Sequence, residues 1–135
     1  MNIQIKDTFD INKSDILELY KSNKWSSANK PDELYNALIH SHSLITAWDD
    51  NKLIGLGNAI SDGHLVVYYP HLLVHPDYKK KGVGKKIMET FNTKYDSLHQ
   101  QILVADEDAV DFYKKCGFSM ASTTQSMWIY DGTDH

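Results

Sequence analysis

A chain of 135 residues, 41% hydrophobic and 24% charged, supports one core and leaves no room for a second, so residues 1–135 are expected to form a single domain. The net charge of -4, with lysines gathered in one stretch, argues against nucleic acid as a partner, because neutralising phosphates takes a broad basic face. No apolar run reaches membrane-spanning length, the N-terminus carries no signal-peptide core, and the lone Cys116 excludes an internal disulfide; no membrane partner and a reducing cytoplasm are expected.

Ile3-Gln4-Ile5 alternates as a short first strand ending near Phe9. A helix follows: Asn12 or Ser14 can cap it, Ile16, Leu17, Leu19 and Tyr20 form its apolar stripe, and it ends near Asn23 and Lys24. Trp25 lies in the polar loop SNKWSSANK, and a second helix opens with Pro31 and Asp32 and buries Leu34, Leu38 and Tyr35. Residues 44–48 and 52–60 read as a hairpin, in which Gly55 and Gly57 mark a bulge or the close approach of another group. After a turn at Ser61-Asp62-Gly63, residues 64–74 form a long strand whose pairing loosens at Pro70 and His71, since proline brings no ladder donor. Helical spacing of Ile87, Met88 and Phe91 predicts a helix from Val83 to about Tyr95, and 101–105 returns as a parallel strand, completing a right-handed βαβ unit. Asp106 can cap a helix over 107–116 that Gly117 ends, and Cys116 on its inner face reads as a core thiol. Residues 118–120 and 125–130 are expected to supply two closing strands whose edge can pair across a homodimer, and 131–135 a frayed tail. His40 and His42 are not read as metal ligands: on a helix, i and i+2 diverge, and the other histidines are scattered.

The chemistry-bearing stretch is LLVHPDYKKKGVGKKIME, residues 72–89. Gly82 and Gly84 let the backbone approach a bound group, the helix starting there offers unpaired N–H groups, and Lys79, Lys80, Lys81, Lys85 and Lys86 raise the local potential. The expected guest is a phosphate or pyrophosphate. The loop is neither a Walker loop nor a three-glycine dinucleotide fingerprint, and taken alone it also reads as a turn with a solvated lysine run.

In context the stretch resembles motif A of the GNAT superfamily of N-acetyltransferases, through Val74, Pro76, Tyr78, Lys79, Gly82, Val83 and Gly84. Ala109, Phe112, Tyr113, Gly117 and Phe118 resemble a second segment of that superfamily, in the right order and spacing. Lys79 stands where Arg or Gln is usual, keeping the charge but not the guanidinium fork, and Asp106 stands where Asn is common. The overall layout is also distantly similar to plastid arylalkylamine (serotonin-type) acetyltransferases. The resemblance implies an α/β (α+β) GNAT fold: a mixed sheet of six to seven strands, a V-shaped splay between the fourth and fifth, and about four flanking helices. It also implies acetyl-CoA as co-substrate, no metal, and a cofactor site of Leu73, Val74, Lys79, Lys80, Lys81, Gly82, Val83, Gly84, Lys85, Asp106 and Tyr113. The first two helices would wall the acceptor site, with Trp25 and Tyr35 as aromatic surfaces, although Trp25 also reads as ordinary packing.

Acetyl transfer to a primary amine sets three demands. An alkylamine of pKa about 10.4 is neutral in only about one molecule in 2,500 at pH 7, a deficit of roughly 4.6 kcal/mol, so something must take its proton. The developing oxyanion needs a donor, for which the resemblance offers the Val74 N–H, and the departing thiolate needs an acid, for which it offers Tyr113. Strand alternation puts His71 and Leu73 on one face and Leu72 and Val74 on the other, and many superfamily members carry an acidic residue where His71 stands. His71 therefore reads either as the proton acceptor or as a half-buried histidine satisfied beside Pro70; Asp108 and His75 are rivals. The expected function is direct acetyl transfer in a ternary complex to a small-molecule amine. The alternatives are a non-catalytic acyl-CoA sensor and acetylation of a protein amine.

Overall fold

A computed structural model describes residues 2–134. The elements, in order, are β1 (Ile3–Asp7), α1 (Lys13–Ser22), α2 (Pro31–Ile39), β2 (Ser43–Asp49), β3 (Lys52–Ser61), β4 (Val66–Tyr68), β5 (Leu72–Val74), α3 (Val83–Lys94), β6 (Gln100–Ile102) and α4 (Val110–Lys115), with 3-10 turns at Ser26–Asn29, Pro76–Tyr78 and Glu107–Ala109. The six strands make one mixed sheet: β1, β2 and β3 are antiparallel, β3 carries both β4 and β5 on its far side, and β4 and β6 are parallel.

Alternation along the strands feeds two apolar layers. Leu44, Leu56 and Leu73 turn to α1 and α2, where Ile16, Leu19, Tyr20 and Leu38 are wholly or almost wholly buried. Ile45, Ile54 and Val67 turn the other way, to Ile87, Met88 and Phe91 of α3. The glycines of β3 are there for that helix. A Cβ at Gly57 would lie 2.8 Å from the Phe91 ring, and one at Gly55 3.2 Å from Ile87 and Val83. Close approach to α3 accounts for both, and the register shift in the hairpin, between Ala47 and Trp48, falls beside Gly55, the partner of Ala47.

The long strand expected over 64–74 breaks at Pro70. β4 bonds to the far end of β3 and β5 to its middle; between them Asn58 substitutes for the ladder, donating its N–H to the His71 carbonyl at 3.2 Å while its Oδ1 accepts the His71 N–H at 3.1 Å. β6 follows β4 only as far as the bond from Tyr69 N–H to the Ile102 carbonyl, 3.1 Å, and then turns away from β5. That divergence is the expected splay, but the parallel partner is 100–102 rather than 101–105.

The C-terminal expectation fails. Among the described residues, 118–120 and 125–130 form no strand, and the sixth strand comes from the break at Pro70 instead. A turn at Ala121–Thr124, closed by the Thr124 N–H on the Ala121 carbonyl, separates the two stretches. Nor is the tail frayed through Asp134, whose carboxylate accepts the Ser26 N–H at 2.9 Å and the Ser26 hydroxyl at 2.8 Å; His135 lies outside the described residues. Asp106 begins the 3-10 turn without a side-chain cap bond, so α4 proper starts at Val110 rather than in the stretch just after Asp106. Cys116 packs beside α3, where burial pushes its thiol up, away from a nucleophilic thiolate.

Candidate active site

The site lies where β5 ends, at the mouth of the splay. Gly82 takes φ +81 and Lys80 φ 62, a left-handed pair that curls the loop before α3. A Cβ at Gly82 would meet nothing within 4 Å, so this glycine serves conformation and leaves open space in front of the helix. The first bond of α3 runs from the Lys86 N–H to the Gly82 carbonyl, and the amides of Val83, Gly84 and Lys85 therefore have no partner within the helix. With Lys79, Lys80 and Lys85 exposed around it, this is a cradle for an anion. Lys81 is exposed too; its ammonium lies 5.8 Å from the centroid of the Tyr78 ring, and the Tyr78 hydroxyl donates to Asp49 at 2.6 Å.

Gly84 has a different reason to be glycine. A Cβ there would sit 3.1 Å from Phe112 and 3.6 Å from Val74, so the loop, the end of β5 and α4 converge on one point. The two sequence motifs are thus one contact in space.

Antiparallel pairing decides where the backbone of β5 points. His75 donates to the Ile54 carbonyl at 2.7 Å and His71 accepts from Asn58, so residues 71, 73 and 75 turn their polar groups to β3. Leu72 and Val74 consequently turn theirs into the gap left by β6. Leu73 is placed behind the site, its side chain buried under α1, whereas Val74 lies on the α3 side with Leu103 and Tyr113. Burial, reinforced by Cys116 and Asp106, pushes the Tyr113 hydroxyl up to about 12, so it holds its proton throughout the neutral range.

On the other face, Tyr20 of α1 and Nδ1 of His71 are hydrogen-bonded at 2.8 Å, and Trp25 stands edge-on to both rings, with centroids 5.6 and 5.1 Å away. His71 borders two cavities, of about 510 and 590 Å³. The first is walled by Ser26, Lys30, Tyr68, Trp128, Tyr130 and Asp134. The second is walled by His40, His42 and Asn58 among others. Trp25 packs beside His71, as both readings of it allow, while Tyr35 packs against the α1–α2 core and borders neither cavity. Sequence reasoning missed Tyr20, Asn58, Trp128, Tyr130 and Asp134. In sequence Tyr20 carries only the signal of an apolar stripe, and Trp128 and Tyr130 only that of a strand.

Residues 10–129 match the model of the acetyltransferase (GNAT) domain family. An uncharacterized N-acetyltransferase ycf52 of Gracilaria tenuistipitata var. liui is 29% identical over 126 residues, covering 87% of this chain and 68% of that protein. A GNAT family acetyltransferase from Streptococcus pneumoniae superposes with a TM-score of 0.84 at 29% identity, over 97% of this chain and 100% of the other. The fold is shared with AAC(6')-Iy, solved with a bisubstrate analogue of CoA and acetylneamine, at a TM-score of 0.74 and 12% identity, over 98% and 100% of the two chains. With the family model matched over most of its length and the fold shared throughout, the chain is a member of the GNAT family of acetyltransferases.

Proposed function

We propose that the protein acetylates a primary amine of a small molecule by direct attack in a ternary complex. The observation that carries this reading is the Val74 amide, turned into the gap beside a glycine cradle and next to Phe112 and Tyr113. Acetyl-CoA supplies the acetyl thioester. The amides of Val83, Gly84 and Lys85, with Lys79, Lys80 and Lys85 around them, hold its pyrophosphate, and the open space over Gly82 fits such a group. Asp106, whose charge acts on Tyr113, is a further cofactor contact, and Leu73 supports Val74 from behind.

Val74 donates its N–H to the oxygen that becomes anionic, and Tyr113 gives its proton to the departing sulfur. An unperturbed thiol titrates at about 8.5, so transfer from a phenol raised to about 12 runs uphill even to the free thiolate, and it is drawn forward by solvent returning the proton to Tyr113. His71 accepts the proton that the acceptor must shed, and Trp25 borders the acceptor path. No covalent enzyme intermediate is needed, and Cys116 takes no part.

The test is a screen of amines and peptides for acetyl-CoA consumption, corrected for hydrolysis. Turnover with a small amine supports the reading, binding of acetyl-CoA without turnover replaces it with a sensor, and turnover confined to peptides moves the acceptor to a protein amine. His71→Ala is expected to cut turnover by about 10² and to remove the acid limb of the pH–rate profile; an unchanged profile would leave proton acceptance to water.

A further inference from the structure

We propose that the protein assembles as a two-fold dimer in which residues 125–130 of each copy add as a strand to the outer edge of β6 in the other. This goes beyond the acetyl-transfer reading and does not rest on it. β6 ends the sheet: it pairs with β4, and among the described residues no strand lies on its other side. Gln100 donates its N–H to the Leu65 carbonyl at 2.9 Å, and the Ile102 carbonyl accepts from the Tyr69 N–H at 3.1 Å, so residues 100 and 102 turn their main-chain groups to β4. In a parallel ladder Gln101 and Leu103 then turn theirs outward, where no other main chain of the described residues meets them. Ile102 is 40% exposed between them.

The same chain carries a strand-like segment without a sheet. Residues 125–130, QSMWIY, have strand composition, yet the main chain of 125–127 and 129–130 bonds to no other element among the described residues. Met127 is 92% exposed and Ile129 fully so, whereas Trp128 and Tyr130 wall the cavity beside Tyr68 and Pro70. That alternation belongs to an extended segment with one face packed and the other bare. Its main-chain edges lie between the two faces, so a neighbouring strand can bond to them while Trp128 and Tyr130 keep their places.

Charge and symmetry select a second copy as the occupant. The chain is 24% charged, but 97–105 and 117–130 hold no Asp, Glu, Lys or Arg. Exposed strand edges are ordinarily guarded by charges, proline or bulges, and neither stretch has a charge or a proline. Two copies of net charge -4 repel overall, and these uncharged stretches let them meet without opposing like charges. Antiparallel addition also keeps Asp106 and Asp131, which follow the two stretches, at opposite ends of the contact. Each copy brings one edge that lacks a strand and one strand that lacks an edge. A two-fold axis matches both pairs at once and closes the assembly at two copies.

The full chain is expected to sediment as a dimer from low micromolar concentration, and a monomer throughout overturns the proposal. Met127→Lys combined with Ile129→Lys charges the bare face and leaves the cavity wall alone; it should weaken dimerisation by about 10² or more. A melting curve and the acetyl-CoA affinity verify that this variant is folded, and a dimer as tight as the wild type overturns the proposal. The pairing itself is read by cross-linking on a Cys116→Ser background, with Ile102→Cys and Ile129→Cys in separate chains that are mixed and treated with a short bis-maleimide. A link between 102 of one chain and 129 of the other is expected. Links confined to 129 with 129, or none, overturn the assignment to β6. A chain carrying both cysteines should likewise run at twice its mass under denaturing conditions; closure within one chain would show the segment returning to its own edge and overturns the exchange.

Discussion

Gly82 and Gly84, two residues apart in one loop, should fail in different ways when each is replaced by alanine. At Gly82 the new Cβ meets no atom within 4 Å, and the cost is conformational, because φ +81 is left-handed. That cost is about 1–2 kcal/mol for a residue with a Cβ. Relaxing the loop relieves it but misaligns the cradle, so the affinity for acetyl-CoA should weaken by about 5- to 30-fold while turnover at saturation is nearly retained. At Gly84 the backbone is ordinary helix and the cost is steric: the Cβ lies 3.1 Å from the Phe112 ring, some tenths of an ångström inside ordinary carbon contact. Overpacking of this kind costs about 1–3 kcal/mol, and here the ring that must yield neighbours Tyr113, at a centroid distance of 5.1 Å. Gly84→Ala should therefore lower stability and turnover together. Calorimetric titration with acetyl-CoA, urea unfolding and steady-state kinetics on the two variants separate the cases. Unchanged affinity in Gly82→Ala, or unchanged stability and turnover in Gly84→Ala, would refute the division of labour.

Tyr113→Phe should lower turnover far more than cofactor affinity, and equal losses would make Tyr113 a binding residue. Because the folded-state hydroxyl is raised to about 12, from an ordinary value near 10, the folded state keeps a proton that the unfolded chain loses above pH 10. The stability contributed by the protonated phenol is complete below pH 10 and lost between pH 10 and 12, so unfolding free energies of wild type and Tyr113→Phe should converge or cross in that window. Asp134→Ala removes the carboxylate that Ser26 holds, and should raise the KM for the amine several-fold while leaving that for acetyl-CoA unchanged; a shift in the acetyl-CoA KM would show that the segment bears on the cofactor half. Its carboxyl is held low by the Ser26 N–H and then the Ser26 hydroxyl, so the contact is present at neutral pH and weakens as acid protonates it.

What could be read in the residues was what local chemistry decides. Pro70 announced the strand break because a missing donor acts at its own position, and the cradle was legible because its glycines, lysines and helix start are contiguous. Alternation from 71 to 74 correctly separated His71 from Val74, since a period of two needs no knowledge of the neighbours. The partners themselves were not legible. Tyr20 and His71 are 51 residues apart, and nothing on an apolar stripe marks which hydroxyl will be used. The closing strands failed for the converse reason: residues 125–130 have strand composition, but a strand exists only with a partner, and the turn at Ala121–Thr124 together with the Asp134 contact sends them to the α1–α2 connection instead.

The glycines at 55 and 57 set α3 so close to β3 that the helix has almost no latitude to slide or tilt, with Phe91 and Ile87 resting on bare backbone. The anion cradle is the front end of that same helix, so its amides are already aimed before any ligand arrives. Little ordering entropy is then charged against cofactor binding, and most of the interaction energy of the pyrophosphate is retained as affinity. The proposed acceptor half is backed differently: one wall of the cavity beside His71 is a C-terminal segment that the Asp134 carboxylate ties to Ser26 of the loop, and an acceptor bound there would spend part of its binding energy on fixing that wall. On the proposed acetyl-transfer reading, that inequality favours loading of the cofactor ahead of the amine, without any signal having to pass between the two sites.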